Sequence, residues 1–160
     1  MKRLGTVIAL LNLVACPGPA IVAFQKPATE EPLEGSYLQK RGFKIEQVGE
    51  LRDTDGVHLA FKSYRANDGT TVTVVHNEFQ SSTAAQEFLE KQVTKALKVM
   101  SKGDKMSKRR AANGKRVEVE FDWADSASPI HAILWTSGAD FFEVRSTARN
   151  DVIEFEKSVS

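Results

Sequence analysis

The sequence predicts an α+β domain: an antiparallel sheet of about five to six strands with two helices packed on one face, a two-layer sandwich. Three observations carry this. Apolar and polar residues alternate in Val57–Arg65 and Val117–Trp123, Thr70–Phe79 is rich in β-branched residues, and Ile130–Trp135 and Phe141–Ser146 read as a further hairpin. One long segment, Thr83 to about Ser101, instead repeats its apolar residues at helical steps. Nearly every strand connection is short, which forces antiparallel neighbours.

The elements follow in order. Tyr37 to Leu51 carries scattered apolar residues, with a short strand through Phe43–Val48. In the next strand Val57, Leu59 and Phe61 alternate with His58, Ala60 and Lys62. Asn67-Asp68-Gly69 fits a three-residue hairpin loop with the glycine left-handed, which pairs Ala66 with Thr70. The returning strand is rich in β-branched residues, Thr71 to Val75.

Ser81-Ser82-Thr83 supplies N-caps, and Thr83 with Gln86 matches a capping box. Phe88, Leu89, Val93, Ala96, Leu97 and Met100 then mark one helical face, with Gly103 as the stop. Asn113-Gly114 reads as a hairpin turn. Beyond it Val117, Val119, Phe121 and Trp123 form a buried face, against a wet, acidic face of Glu118, Glu120 and Asp122. A last hairpin turns at Ser137-Gly138, and a short helix capped near Asn150 points Val152, Phe155 and Val159 inward.

The N-terminus is organised differently. Met1-Lys2-Arg3 precedes an apolar run from Leu4 to Ala15, then Cys16, the single cysteine of the chain. A positive start, an apolar stretch and a small-residue exit have the architecture of an export signal. Leu13-Val14-Ala15-Cys16 resembles the lipobox of bacterial lipoproteins. That resemblance implies a diacylglyceryl thioether on Cys16, as the new N-terminus. Ile21-Val22-Ala23 offers a second exit, cleavage after Ala23, and Leu4 to Phe24 a third reading as an uncleaved anchor. All three place Lys2 and Arg3 on the cytoplasmic side and the domain across the membrane, periplasmic or otherwise extracytoplasmic, anchored or secreted. Residues 24–35, with two prolines, a glycine and three glutamates, read as a flexible spacer, and 36–160 as one domain. That domain has no cysteine, so its core alone must hold it together.

No nucleophile elbow, S-x-x-K motif or phosphate-cradling glycine loop is present. The hairpin register places His58, Ala60, His76 and Glu78 on one sheet face, so His58, His76 and Glu78 are candidate ligands for a divalent metal. The same residues also read as ordinary strand histidines and a surface carboxylate. No other cofactor is implied.

Charge is the clearest remaining pattern. Net charge is only +1, yet residues 91–116 hold ten basic residues and one acidic residue. In the expected helix Lys91, Lys95, Lys98 and Lys102 form one stripe, which Lys108, Arg109 and Arg110 continue. Such a surface suits an acidic protein, anionic lipid or an acidic wall polymer. Nucleic acid fits poorly, because no aromatics interleave with the lysines. The plainer reading is a solvated face neutralised locally, with Arg109 opposite Glu118. Together these features describe a small exported cell-envelope protein, a non-catalytic accessory or binding module. The second reading is an exported metal-binding protein or enzyme using the strand histidines.

Overall fold

The computed structural model describes residues 36–106, 112–122 and 128–159. The described elements are α1 (Ser36–Lys40), β1 (Lys44–Arg52), β2 (His58–Arg65), β3 (Thr71–Glu78), α2 (Ser82–Thr94), β4 (Lys98–Met106), β5 (Ala112–Phe121), β6 (Ile130–Ser137), β7 (Asp140–Ser146) and α3 (Arg149–Val159). The seven strands form one sheet in the order β1-β2-β3-β7-β6-β5-β4, antiparallel throughout. The export signal, Cys16, the cut after Ala23, the 24–35 spacer, and Lys108, Arg109 and Arg110 lie outside the described residues. No helix among the described residues is long and apolar enough to cross a membrane.

The β2–β3 hairpin follows its sequence. Gly69 takes φ +86°, Ala66 N–H donates to the Thr70 carbonyl at 2.9 Å, and Asp68 Oδ1 accepts from Thr70 N–H. This pairs Ala60 with His76, as the loop demands. Ser81 caps α2 by accepting from Ala84 N–H, and Phe88, Leu89 and Val93 are buried.

Four expectations are corrected. First, α2 ends at Thr94 rather than near Ser101. Leu97 N–H donates to the Glu120 carbonyl, and the chain continues as edge strand β4, with Leu97 65% exposed and Val99 and Met100 exposed beside it. Pairing with β5 wins over the helical period, and Gly103 lies inside β4 instead of ending a helix. Second, Asn113 and Gly114 belong to β5, and the β4–β5 connection precedes them. Gly114 is needed where β5 meets β6: a Cβ there would lie 2.0 Å from the Thr136 carbonyl oxygen.

Third, the helices cover both faces, and the strands number seven. Ile133 and Trp135 of β6 join Val72, Val74, Val144, Val152 and Phe155 in a cluster with Leu38 of α1. Ala132 and Leu134, pointing the other way, join Val75, Phe141, Phe88 and Leu89. Neighbouring residues of a strand face opposite sides, so α1 and α3 cover one face and α2 the other. A strand buried on both faces reads as a continuous apolar run, as Ala132 to Trp135 does.

Face coverage also overturns the wet acidic strand. Glu118 points to the α3 face and is buried. It accepts from Arg149 Nε at 2.7 Å and lies 3.9 Å from Arg116 Nη2. Arg116 in turn grips Glu156 of α3, through Nε at 2.9 and 3.0 Å and Nη2 at 2.9 Å. Glu118 faces Ser101 and Ile133 across the ladders. At the other end of α3, Tyr37 O–H donates to the buried Asp151 carboxylate, and Arg41 lies 3.6 Å from it. Burial, then this hydrogen bond, hold the Tyr37 hydroxyl above its ordinary pKa.

Candidate binding groove

The path of α2 decides where the sheet stays open. The chain leaves β3 at Glu78 and re-enters the sheet at Lys98 of β4. Between β3 and β4 lie β7, β6 and β5, so the crossing spans about 19 Å of sheet at ~4.8 Å per strand. Lys98 pairs with Glu120, Glu120 with His131, His131 with Ser146, and Ser146 with Val72. The crossing therefore also drops six residues along the strands, about 20 Å. α2 runs diagonally, and a diagonal leaves two corners of its face uncovered.

α2 reaches toward both sides of the sheet: Lys91 Nζ is 2.6 Å from Asp55 in the β1–β2 loop, while Glu90 is 3.9 Å from Lys102 on β4. Asp53 anchors the β1–β2 end. Its carboxylate accepts from Asp55 N–H, Val57 N–H and Gln92 Nε2, with Lys95 Nζ 3.6 Å away. Burial opposes ionisation of Asp53, but the two backbone donors, Lys95 and Gln92 outweigh it and hold the carboxyl below its usual range.

The first open corner is a groove of about 380 Å³ over β1, β2, β3 and the ends of β6 and β7. One row of residues crosses its floor. Gln47 faces Ser63, Ser63 faces Thr73, and Thr73 faces Arg145. Beyond Arg145 the same row turns apolar, through Ala132, Val119 and Val99. Ser63 and Thr73 share a hydrogen bond of 3.0 Å. Thr71 and Thr147 add hydroxyls, and Leu51, Phe61 and Ile130 add apolar walls. Among the described residues lining the groove Arg145 is the one ionisable group; its Nη2 is 2.8 Å from Oε1 of Glu143, which is buried between Val75 and Leu134. Sequence reading missed this site. Its signal was Glu143 and Arg145 two residues apart in an apolar strand, hence on one face.

The second open corner, about 290 Å³, lies over β4 and β5. Here the basic run lines up with acids. Lys115 Nζ meets Asp104 at 2.7 Å, and this pair raises the lysine's pKa. The expected lysine stripe is split between elements. Lys91 lies on α2 against Asp55, Lys95 caps α2 beside Asp53, Lys102 lies on β4 near Glu90, and Lys98 sits opposite Glu120.

The histidines share the expected face without converging. His58 contacts Arg52 Nη2 at 2.9 Å and Glu50 at 3.5 Å, toward the β1 edge. His76 meets Asp140 at 2.9 Å on β7 and stacks on Phe142, which stacks on Trp135. Glu78 is exposed at the end of β3. Among the described residues no three His, Cys, Asp or Glu side chains gather as a metal site would require. Comparison with protein-family models, with curated proteins and with solved structures found no match for the chain, so its function has to be argued from its own residues.

Proposed function

We propose that this is a small exported cell-envelope protein that works as a non-catalytic binding module, with the groove over β1–β3 and β7 as its binding site. The groove carries the reading. Its volume falls within the range of small-molecule sites, and apolar walls enclose a few convergent polar groups, the usual composition of such sites. Export rests on Met1 to Cys16. Intact mass spectrometry of the mature chain tests that half. Acylated Cys16, or a new N-terminus at Phe24, supports export. An unprocessed chain recovered from the cytoplasm overturns it.

A second reading has one observation in its favour: Ala60 pairs with His76, which keeps His58, His76 and Glu78 on one face. It makes the protein an exported metal binder or metalloenzyme. Zinc or copper titration with elemental analysis separates the two. Stoichiometric metal that is lost in His76→Ala would favour the second reading.

A further inference from the structure

The sheet face opposite the groove carries a ladder of rings. Trp135 of β6 pairs with Phe142 of β7, and Phe142 with His76 of β3. Trp135 and Phe142 lie 5.2 Å apart at 18°, Phe142 and His76 4.7 Å apart at 19°. Near-parallel rings this close overlap face to face, since coplanar rings would clash at that distance. The separations also match the ~4.8 Å between strands, so the rings stand on the sheet with their faces turned along the row. His76 ends the series. Its second face turns toward its ladder partner Ala60 of β2, and both Ala60 and Glu50 beyond it are exposed.

We propose that this step is a binding site for a single flat aromatic ring, which inserts over Ala60 and extends the stack by one. The ring belongs to a small molecule or to a side chain of a partner protein. The alanine supplies the room. Glu50 and His76 stand two strands apart, about 9.6 Å. A flat ring needs ~3.5–4.0 Å of carbon contact on each side, about 7–8 Å in all, and fits. A puckered saturated ring is thicker and forfeits the π contact with the imidazole. Asp140 holds the imidazole by its edge, with Oδ1 2.9 Å from Nε2, which leaves the face for stacking. At the rim the Glu50 carboxylate, 3.5 Å from His58 Nδ1, has a second oxygen to accept from a phenol O–H or indole N–H.

The test is an NMR titration of the isotope-labelled protein with p-cresol, 4-methylcyclohexanol and the capped tripeptide acetyl-Gly-Tyr-Gly-amide. p-Cresol should saturably shift the Ala60 methyl upfield, through its ring current, together with the His76 ring protons. It should bind roughly two- to tenfold tighter than 4-methylcyclohexanol, which differs in flatness alone. Tripeptide binding at least as tight as that of p-cresol identifies a side chain as the source of the ring. Weaker tripeptide binding identifies a free small molecule. Ala60→Leu fills the step from an exposed position and should abolish the shifts at His76 while the remaining spectrum stays native. His76→Val keeps a strand-forming residue without a flat face and should erase the preference for p-cresol. Equal binding of p-cresol and 4-methylcyclohexanol, or p-cresol binding kept in Ala60→Leu, overturns the proposal. Shifts confined to Thr71 and Thr73 overturn it as well and leave the groove reading standing. Silence at Ala60 and His76 from every probe has the same consequence for the ring site.

Discussion

Glu118→Ala separates the two descriptions of β5. If Glu118 belonged to a wet acidic face, its loss would change stability by no more than about 0.5 kcal/mol. In the structure its carboxylate takes Arg149 at 2.6 and 2.7 Å, and its side chain is 9% exposed. A hydrogen bond to a charged group is worth ~1.5–3 kcal/mol when both partners are buried. Arg149 is 47% exposed and regains water once the carboxylate is gone, so roughly half that value, about 1 kcal/mol, is lost. Arg116 keeps its bidentate bond to Glu156 and adds little. Removing one buried methylene costs ~0.8 kcal/mol more. The sum is about 2 kcal/mol, or a fall in Tm of about 8 °C for a domain of this size. Urea denaturation of Glu118→Ala measures it, with Asp122→Ala, at an exposed residue, as the control. A Glu118 variant as stable as the Asp122 variant would refute the clamp between α3 and the sheet.

The other predictions concern backbone and protonation. Gly114→Ala should cost about 3 kcal/mol or fail to fold, since its Cβ would meet Thr136 oxygen at 2.0 Å. Gly103→Ala, with nothing within 4 Å, should be neutral or stabilise by about 0.5 kcal/mol in the same denaturation series. The folded pKa of Asp53 lies below its unfolded value. Its contribution should therefore be complete above about pH 5 and lost as pH falls through the ordinary carboxylate range to the folded value. The gap in urea midpoint between wild type and Asp53→Asn should shrink between pH 7 and pH 3, and a constant gap would count against that linkage. Tyr37 has the opposite sign. Burial and its bond to Asp151 make the folded state hold the phenol proton more tightly. Its stabilisation should be complete below about pH 10 and lost as pH rises through the folded value. Tyr37→Phe should flatten the alkaline limb of the stability profile, and the absorbance titration near 295 nm should lose a late-ionising phenol in that variant.

Local chemistry was legible where it acts over a few residues. Asn67-Asp68-Gly69 set a loop, the loop set a register, and the register put His76 opposite Ala60. Ser137-Gly138 and the Val152, Phe155 spacing of α3 were equally direct. The failures have one cause: a residue's partner lay far away in sequence. Ala96, Leu97 and Met100 continue the period of α2, but the edge of β5 takes Leu97. Glu118 alternates like a surface residue, yet Arg149 lies 31 positions on and covers it. The clue to two covered faces was present in Ala132-Ile133-Leu134-Trp135, an apolar run without alternation. The groove escaped notice because no single strand holds it. Its floor takes one residue each from β1, β2, β3 and β7.

Charge gives the same lesson from another side. Read along the chain, residues 91–116 are a basic block in an otherwise acidic protein. In space the described members of the block are divided among several elements. Lys91 and Lys95 answer Asp55 and Asp53 of the β1–β2 loop, Lys102 answers Glu90, Lys115 answers Asp104, and Arg116 answers Glu156 of α3. The exposed pairs among them, Lys91–Asp55, Lys102–Glu90 and Lys115–Asp104, are each worth about 0–1 kcal/mol, so they contribute little stability. The diagonal course of α2, from β3 to the far edge of the sheet, is what leaves the groove beside Arg145 open.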